Sequence, residues 1–255
     1  MSGFKTVLSN SKSVVGAVTD LELELLYNLA GRGPGEGQIV EIGSFQGKST
    51  IFLASGSKKA HREKVWAIDP HQGAYVMGRR FSGPTYKKFL DNLRRARVKD
   101  QVVVIRKFSD QAIKTWKKPI RLLFIDGNHS YAGVRKDILG WEPFLVAGGV
   151  IALHDALNPA VGPARAIVKL LLKDKRFSNL GVIDSIFYAI KRPARNWPEQ
   201  INWWFFAKMM QLVSRWLRLK KRKFMRQYIV KRWLKRLLTR VTLATSAKLL
   251  FNHEN

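Results

Sequence analysis

Two short stretches of this chain pair a carboxylate with an imidazole directly after an apolar run. They are Ile125-Asp126-Gly127-Asn128-His129-Ser130-Tyr131 and Leu153-His154-Asp155. If both apolar runs are strands of one sheet, Asp126 and Asp155 lie at neighbouring strand tips. There they can converge on a divalent cation, and hard oxygen donors suit Mg²⁺, Mn²⁺ or Ca²⁺. His154 then acts as a ligand or as a neighbour that orients one. His129 can take a proton from a substrate hydroxyl near neutral pH, and a bound cation would acidify that hydroxyl. Singly, each of these residues is an ordinary turn former; together at one sheet end they describe a site.

A third stretch brings backbone, rather than side chains, to a ligand. Ile39-Val40-Glu41-Ile42-Gly43-Ser44-Phe45-Gln46-Gly47-Lys48-Ser49-Thr50 runs from an apolar strand through two glycines into a helix start. Glycine clears the approach, and a helix start presents free N–H groups. Three ligand classes compete for this turn. It is one residue short of the phosphate loop G-x-x-x-x-G-K-[ST], and its glycines do not match the dinucleotide pattern G-x-G-x-x-G. S-adenosylmethionine needs no phosphate cradle. It needs a close backbone approach to its methionine end and a carboxylate for its ribose diol. Asp69, 22 residues after Gly47, suits the ribose, and Glu41 suits the cationic amino group. The bland alternative is a tight turn at Gly43 and Gly47 with Asp69 capping it.

The elements that must position these residues alternate strand and helix. Thr19-Asp20 caps a helix whose apolar side includes Leu21, Leu25, Leu26 and Leu29. Strands are expected at Gln38–Ile42, Val65–Asp69, Val102–Ile105, Ile120–Ile125 and Val150–Leu153. Helices are expected near Ser49–Ala54, Thr85–Arg97, Tyr131–Phe144 and Pro163–Leu172. Leu180–Ile183 and Ser185–Ile190 close the series as two antiparallel strands. His71–Pro84, with three glycines and adjacent arginines, reads as an excursion or lid. Such alternation gives an α/β fold, a mostly parallel sheet covered on both faces. Ligands of such sheets bind beyond the carboxyl ends of the strands, where Glu41, Asp69, Ser109, Asp126 and Asp155 all fall.

The 255 residues suffice for one large α/β domain with an appendage. The absence of cysteine excludes disulfides, thiolate metal sites and a cysteine nucleophile. No uncharged apolar run approaches the ~18–20 residues of a membrane-spanning helix, and the N-terminus has no signal-peptide pattern. The net charge is +28, and residues 191–255 hold 17 Lys/Arg against 2 Asp/Glu. Within 203–240, Phe206, Val213, Trp216, Met225, Ile229, Trp233 and Leu237 recur among lysines and arginines. That pattern reads as a basic amphipathic tail for an anionic membrane surface. A helical packing face and nucleic acid are the competing partners.

Ile39–Ala54, Val65–Pro70, Ile125–Tyr131 and Ala147–Asp155 together resemble the class I S-adenosylmethionine-dependent methyltransferases. The narrower similarity is to macrolide-sugar O-methyltransferases and cephalosporin hydroxylase-like proteins. The shared motifs are E-I-G-x-x-x-G-x-S, I-D-P, I-D-G-x-H-x-Y and G-G-x-I-x-x-H-D. The resemblance implies a Rossmann-like seven-stranded sheet of order 3-2-1-4-5-7-6 over residues 1–192, followed by the basic tail 193–255. It implies that Glu41, Gly43, Ser44, Gly47 and Ser49 line the methionine half of the cofactor. Asp69 would hold the ribose, and Phe108, Ser109 and Asp110 would lie near the adenine, with Asp126 beside the cofactor. It implies a divalent ion, Mg²⁺ for example, on Asp126 and Asp155, and His129 as base; the position of His154 is acidic in some metal-dependent relatives. The expected activity is O-methylation of a sugar or glycan-like hydroxyl by a cytoplasmic protein at a membrane surface. An RNA methyltransferase and a non-catalytic membrane adaptor of the same fold are the alternatives.

Overall fold

The computed structural model describes residues 3–76, 79–157, 162–192 and Lys208. The expected basic tail, 193–255, lies outside the described residues apart from Lys208. Helix α1 (Gly3–Asn10) precedes α2 (Asp20–Arg32). Thr19 starts α2 with a reciprocal capping box: its hydroxyl accepts from the Glu22 amide, and its own amide donates to Glu22 Oε2 at 2.8 Å. Leu25, Leu26 and Leu29 are buried as expected, together with Leu23. Leu21 is instead 45% exposed, because the buried stripe runs through Glu22 rather than through its neighbour.

Seven strands form the sheet: β1 (Gln38–Ile42), β2 (Val65–Ile68), β3 (Val102–Ile105), β4 (Ile120–Ile125), β5 (Leu145–Leu153), β6 (Phe177–Ile183) and β7 (Ile186–Lys191). Their spatial order is 3-2-1-4-5-7-6. The first five are parallel, and β7 runs antiparallel between β5 and β6. The intervening helices are α3 (Lys48–Lys59), α4 (Tyr86–Arg95), α5 (Ser109–Ala112), α6 (Tyr131–Trp141) and α7 (Gly162–Ala166), which continues as a π-helical turn to Leu171. The sequence placed the start of α3 correctly but stopped it five residues early. Its last turn, Ser55–Lys59, is small and polar, so it lacks an apolar stripe.

Strand periodicity of two divides the core between the two sheet faces. Val40, Leu123, Ile151 and Leu153 pack with Trp141 and α7 on one side. Ile39, Leu122, Phe124 and Ala152 pack with Leu25, Leu26 and Phe52 on the other. The excursion after β2 is a small separate hairpin, Gly73–Val76 paired with Arg79–Ser82.

Hydrogen bonding continues one residue past the carboxyl ends of the strands. Gly43 donates to Ile68, Asp69 to Ile105, Asp126 to Ile42 and His154 to Ile125. Each of these four residues is the first after its strand, so the ladder itself aligns the residues that the sequence singled out.

Candidate active site

A cleft of about 930 Å³ opens along those strand tips, within the usual range for small-molecule sites. Its floor is the turn after β1. Gly43 has φ +87°, and a Cβ there would lie 2.4 Å from the Asp126 carbonyl. Only glycine therefore lets β1 and β4 leave the sheet side by side. Gly47 (φ +89°) makes the second reversal and starts α3. The Asp69 carboxylate fixes the loop: Oδ2 accepts from the Ser44 and Phe45 amides at 2.9 and 2.8 Å, and Oδ1 from the His71 amide at 2.6 Å.

Most of the anticipated residues meet here. Gly43, Ser44, Ser49, Asp69, Phe108, Ser109, Asp110, Asp126, His129, His154 and Asp155 all line the cleft. Glu41 and Gly47 do not. Glu41 lies one layer below, with no exposed surface, accepting from the Thr50 hydroxyl at 2.5 Å while its Oε1 has no partner. Burial pushes its carboxyl up to about 8, against the lowering effect of the Ser49 and Thr50 hydroxyls. Phe108 presents an aromatic ring that is 48% exposed on the cleft wall. The Ser44 hydroxyl is buried without a partner.

The second half of the cleft is a row of alternating acids and imidazoles. Glu22 Oε2 lies 3.5 Å from His154 Nε2, and His154 Nδ1 lies 3.1 Å from Asp126 Oδ1. The same Asp126 oxygen lies 3.5 Å from His129 Nε2, and His129 Nδ1 lies 3.2 Å from Asp155 Oδ2. Asp155 adopts φ +56° at the end of β5, a left-handed conformation that Asp tolerates better than most residues. Burial alone would raise the Asp126 carboxyl, but the two imidazoles outweigh it and hold the group down at about 2. The contact with Asp126 raises the pKa of His129 against the opposing effect of burial. Burial also opposes charge on His154; Asp126 and Glu22 overcome it and lift the ring well above its ordinary value.

The expected metal site needs correction. Among the described residues, no group of three or more His, Cys, Asp or Glu is arranged to hold an ion. Asp126, His154 and Asp155 share the cleft, but the carboxylates face imidazoles rather than a common vacant point. A cation there would have to displace His129, which bridges Asp126 and Asp155. The residues present do not fit a divalent ion.

Sequence reasoning missed three contributors. Glu22 and Ser185 reach His154 from outside, and Asp137 of α6 lines the cleft with its Oδ1 accepting from the Ser109 hydroxyl at 2.5 Å. One signal for Glu22 was present: an acid on the apolar stripe of an amphipathic helix.

A family described as a methyltransferase domain matches residues 40–156. The match begins in β1 and ends just past Asp155, so it spans the glycine turn and both strand-end clusters. Residues 40–156 of this chain carry a methyltransferase domain. Solved structures are similar over more of the chain. The O-methyltransferase NovP is 20% identical with a TM-score of 0.56, covering 69% of this chain and 83% of that one. TomG from Streptomyces achromogenes, an O-methyltransferase in complex with SAM, is 16% identical with a TM-score of 0.52 over 75% and 90% of the two chains. CalS11, a TDP-rhamnose 3'-O-methyltransferase, is 17% identical with a TM-score of 0.50 over 74% and 92%. At these identities the structural likeness of the methyltransferase to its neighbours is one of fold.

Proposed function

We propose that this methyltransferase transfers the methyl group of S-adenosylmethionine to a hydroxyl of a sugar or glycan-like acceptor, with His129 as general base. The observation that carries the reading is His129 held between Asp126 and Asp155 at the mouth of the cleft, 41% exposed, opposite the glycine turn. CalS11 is the solved neighbour that motivates a sugar acceptor.

The cleft suits the cofactor. The partnerless Ser44 hydroxyl and the ring of Phe108 offer a hydrogen bond and a stacking face. Asp69 keeps one lone pair, on Oδ1, for the ribose while it holds the loop. Although the chain is strongly basic, the cleft lining has more acids than lysines, which favours a cationic sulfonium. Glu41 acts through the loop rather than by touching the ligand. When bound, the cofactor supplies an electrophilic methyl on sulfur. The side chains do the rest: Asp126 and Asp155 aim the imidazole, His129 accepts the hydroxyl proton as the oxygen–methyl bond forms, and the two carboxylates stabilise the imidazolium that results. The positive charge lost from sulfur ends on His129.

The basic tail, 203–240, would hold the enzyme at an anionic membrane surface, where each Lys/Arg adds about 1 kcal/mol before screening. Among the described residues no helix is long and apolar enough to cross a membrane. Calorimetry with S-adenosylmethionine tests the core reading: binding supports it, and no binding favours an adaptor that keeps only the fold. Methyl transfer to glycan hydroxyls but not to RNA selects the acceptor class. Anionic liposome flotation that is lost on truncation to residues 1–195 supports the tail; equal flotation removes it.

A further inference from the structure

We propose that Arg165 and Lys169, both set over the ring of Tyr131 on the shoulder of the cleft, form a subsite for a phosphoryl group carried by the acceptor. This rests on the methyltransferase reading above and adds a charge to the acceptor that it names.

The shoulder is built where α7 docks on the loop that carries His129. The Gly162 amide donates to the His129 carbonyl at 2.7 Å. A Cβ on Gly162 would lie 2.2 Å from the Tyr131 nitrogen, so only glycine lets the two backbones meet this closely. Three residues on, the guanidinium carbon of Arg165 lies 4.4 Å from the Tyr131 ring centroid. One turn further, Lys169 Nζ lies 5.5 Å from the same centroid. The ring is half-buried, and both cations are exposed. Among the described residues neither has a carboxylate partner, and the sequence holds no acid between Asp155 and Asp174. Arg135, one turn along α6 from Tyr131 and also exposed, adds a third positive charge on that side.

The ring orders this pair without neutralising it. Its face attracts a cation, yet two like charges one turn apart repel each other. A guanidinium over a ring keeps its edge N–H groups for a bidentate oxyanion, and the lysine adds a point charge beside it. A phosphoryl group answers both. The cleft itself would reject one, because its acids outnumber its lysines and one of those lysines, Lys136, is already paired with Asp110 at 2.6 Å. An acceptor that is neutral at its reacting hydroxyl and anionic at its other end therefore enters in one orientation. The hydroxyl points inward to His129, and the phosphoryl group stays outside on Arg165 and Lys169. Tyr131 follows His129 by two residues, at most ~7 Å along the backbone, a separation that one phosphorylated sugar spans. The shared chemistry is a sugar phosphate, carried on a nucleoside diphosphate or on a membrane-held polyprenyl pyrophosphate.

The test compares the full-length wild type with Arg165→Gln/Lys169→Gln, both checked for S-adenosylmethionine binding by calorimetry. UDP-glucose in solution is one probe; neutral phosphatidylcholine vesicles bearing a polyprenyl-pyrophosphate-linked sugar are the other. The double variant should bind a responding probe roughly tenfold more weakly than the wild type, with the gap closing as salt rises. Arg165→Lys/Lys169→Arg, which keeps both charges, should stay within about threefold of wild type. Phosphate held elsewhere on this basic chain, by 203–240 for example, is indifferent to these substitutions. A loss with UDP-glucose assigns a soluble carrier, and a loss with the vesicles alone assigns a membrane-held one. Equal binding by wild type and double variant in both arms overturns the subsite, as does no binding by the wild type in either. A loss seen only with a single-stranded RNA oligonucleotide also overturns it, in favour of a nucleic acid. If the double variant fails to bind cofactor, Arg165→Gln alone is read in the same way. A wild type that binds a probe through these two residues but not S-adenosylmethionine would count against the methyltransferase reading and leave the subsite standing.

Discussion

Strand β4 carries a buried ionic cluster at each end, and helix α2 reaches both. At the amino end, Arg121 has no exposed surface. It pairs with Glu63 and donates to the Leu29 and Ala30 carbonyls near the end of α2. At the carboxyl end, Asp126 meets His154, and His154 meets Glu22 in the first turn of α2. The Arg121 cluster is closed: the guanidinium donors of Arg121 and Arg62 meet Glu63 and fixed backbone carbonyls. The Asp126 cluster is open: three acids face two imidazoles, and its outer members, His129 and Asp155, reach the cleft. A saturated cluster can only hold the fold together. An unsaturated one whose last imidazole is half exposed has a place for another proton.

The sharpest break between the two ends is His129→Ala. Loss of the base should slow turnover by roughly 10²–10⁴-fold while cofactor affinity, measured by calorimetry, stays close to wild type. The pKa of His129 is raised from 6.5, and the ring must be neutral to accept a proton. Wild-type turnover should therefore climb as pH rises through a value above 6.5. Unchanged turnover in the variant would dismiss the role of base.

The opposite pattern is expected at the other end. Arg121→Met leaves two carbonyls of α2 without a donor and Glu63 with Arg62 alone. Each buried acceptor left unmade costs about 1–3 kcal/mol, read as a lower urea midpoint. At a temperature where the variant is still folded, turnover should remain near wild type. If it falls as far as in His129→Ala, the two clusters are coupled through α2 and the division made here is wrong.

Asp126→Asn probes stability and chemistry together. The folded-state carboxyl is depressed to about 2 from 3.8, so in acid the unfolded chain binds the proton more readily. The stability it contributes is present above about 4 and is lost as pH falls toward 2. The variant should show a flatter decline in urea midpoint across that window. An unchanged acid limb would mean that Asp126 is not ion-paired in solution.

Much of this was legible because it is local. Gln38–Ile42 announced itself by three apolar residues, Ile39, Val40 and Ile42, before Gly43, and the strand-end Asp126 and Asp155 followed directly from their strands. The residues that the sequence hid arrive from far along the chain. Glu22 and Ser185 are 163 positions apart, and their meeting depends on β7 lying beside β5, a crossover that periodicity does not specify. Asp126 and Asp155 were read as metal ligands because the sequence placed them together but could not show His129 standing between them. Glu41 was read as a ligand contact for a similar reason: strand tips alternate in direction, and its side chain turns beneath the loop toward Thr50.

The smallest effect is expected at Phe108. Large side chains within the Arg121 end are packed on all sides, whereas this ring is 48% exposed on the cleft wall. An aromatic left open to water gains little from folding, so its removal should leave thermal stability nearly unchanged. Stacking of a base on such a ring is worth about 1–3 kcal/mol by alanine substitution. Phe108→Ala should therefore weaken S-adenosylmethionine binding by roughly tenfold in calorimetry, and binding of S-adenosylhomocysteine equally, since both carry the same adenine. A loss confined to one of the two would place the ring near sulfur instead. No loss in either would put the adenine elsewhere in the cleft, with Asp137 and Ser109 serving only each other.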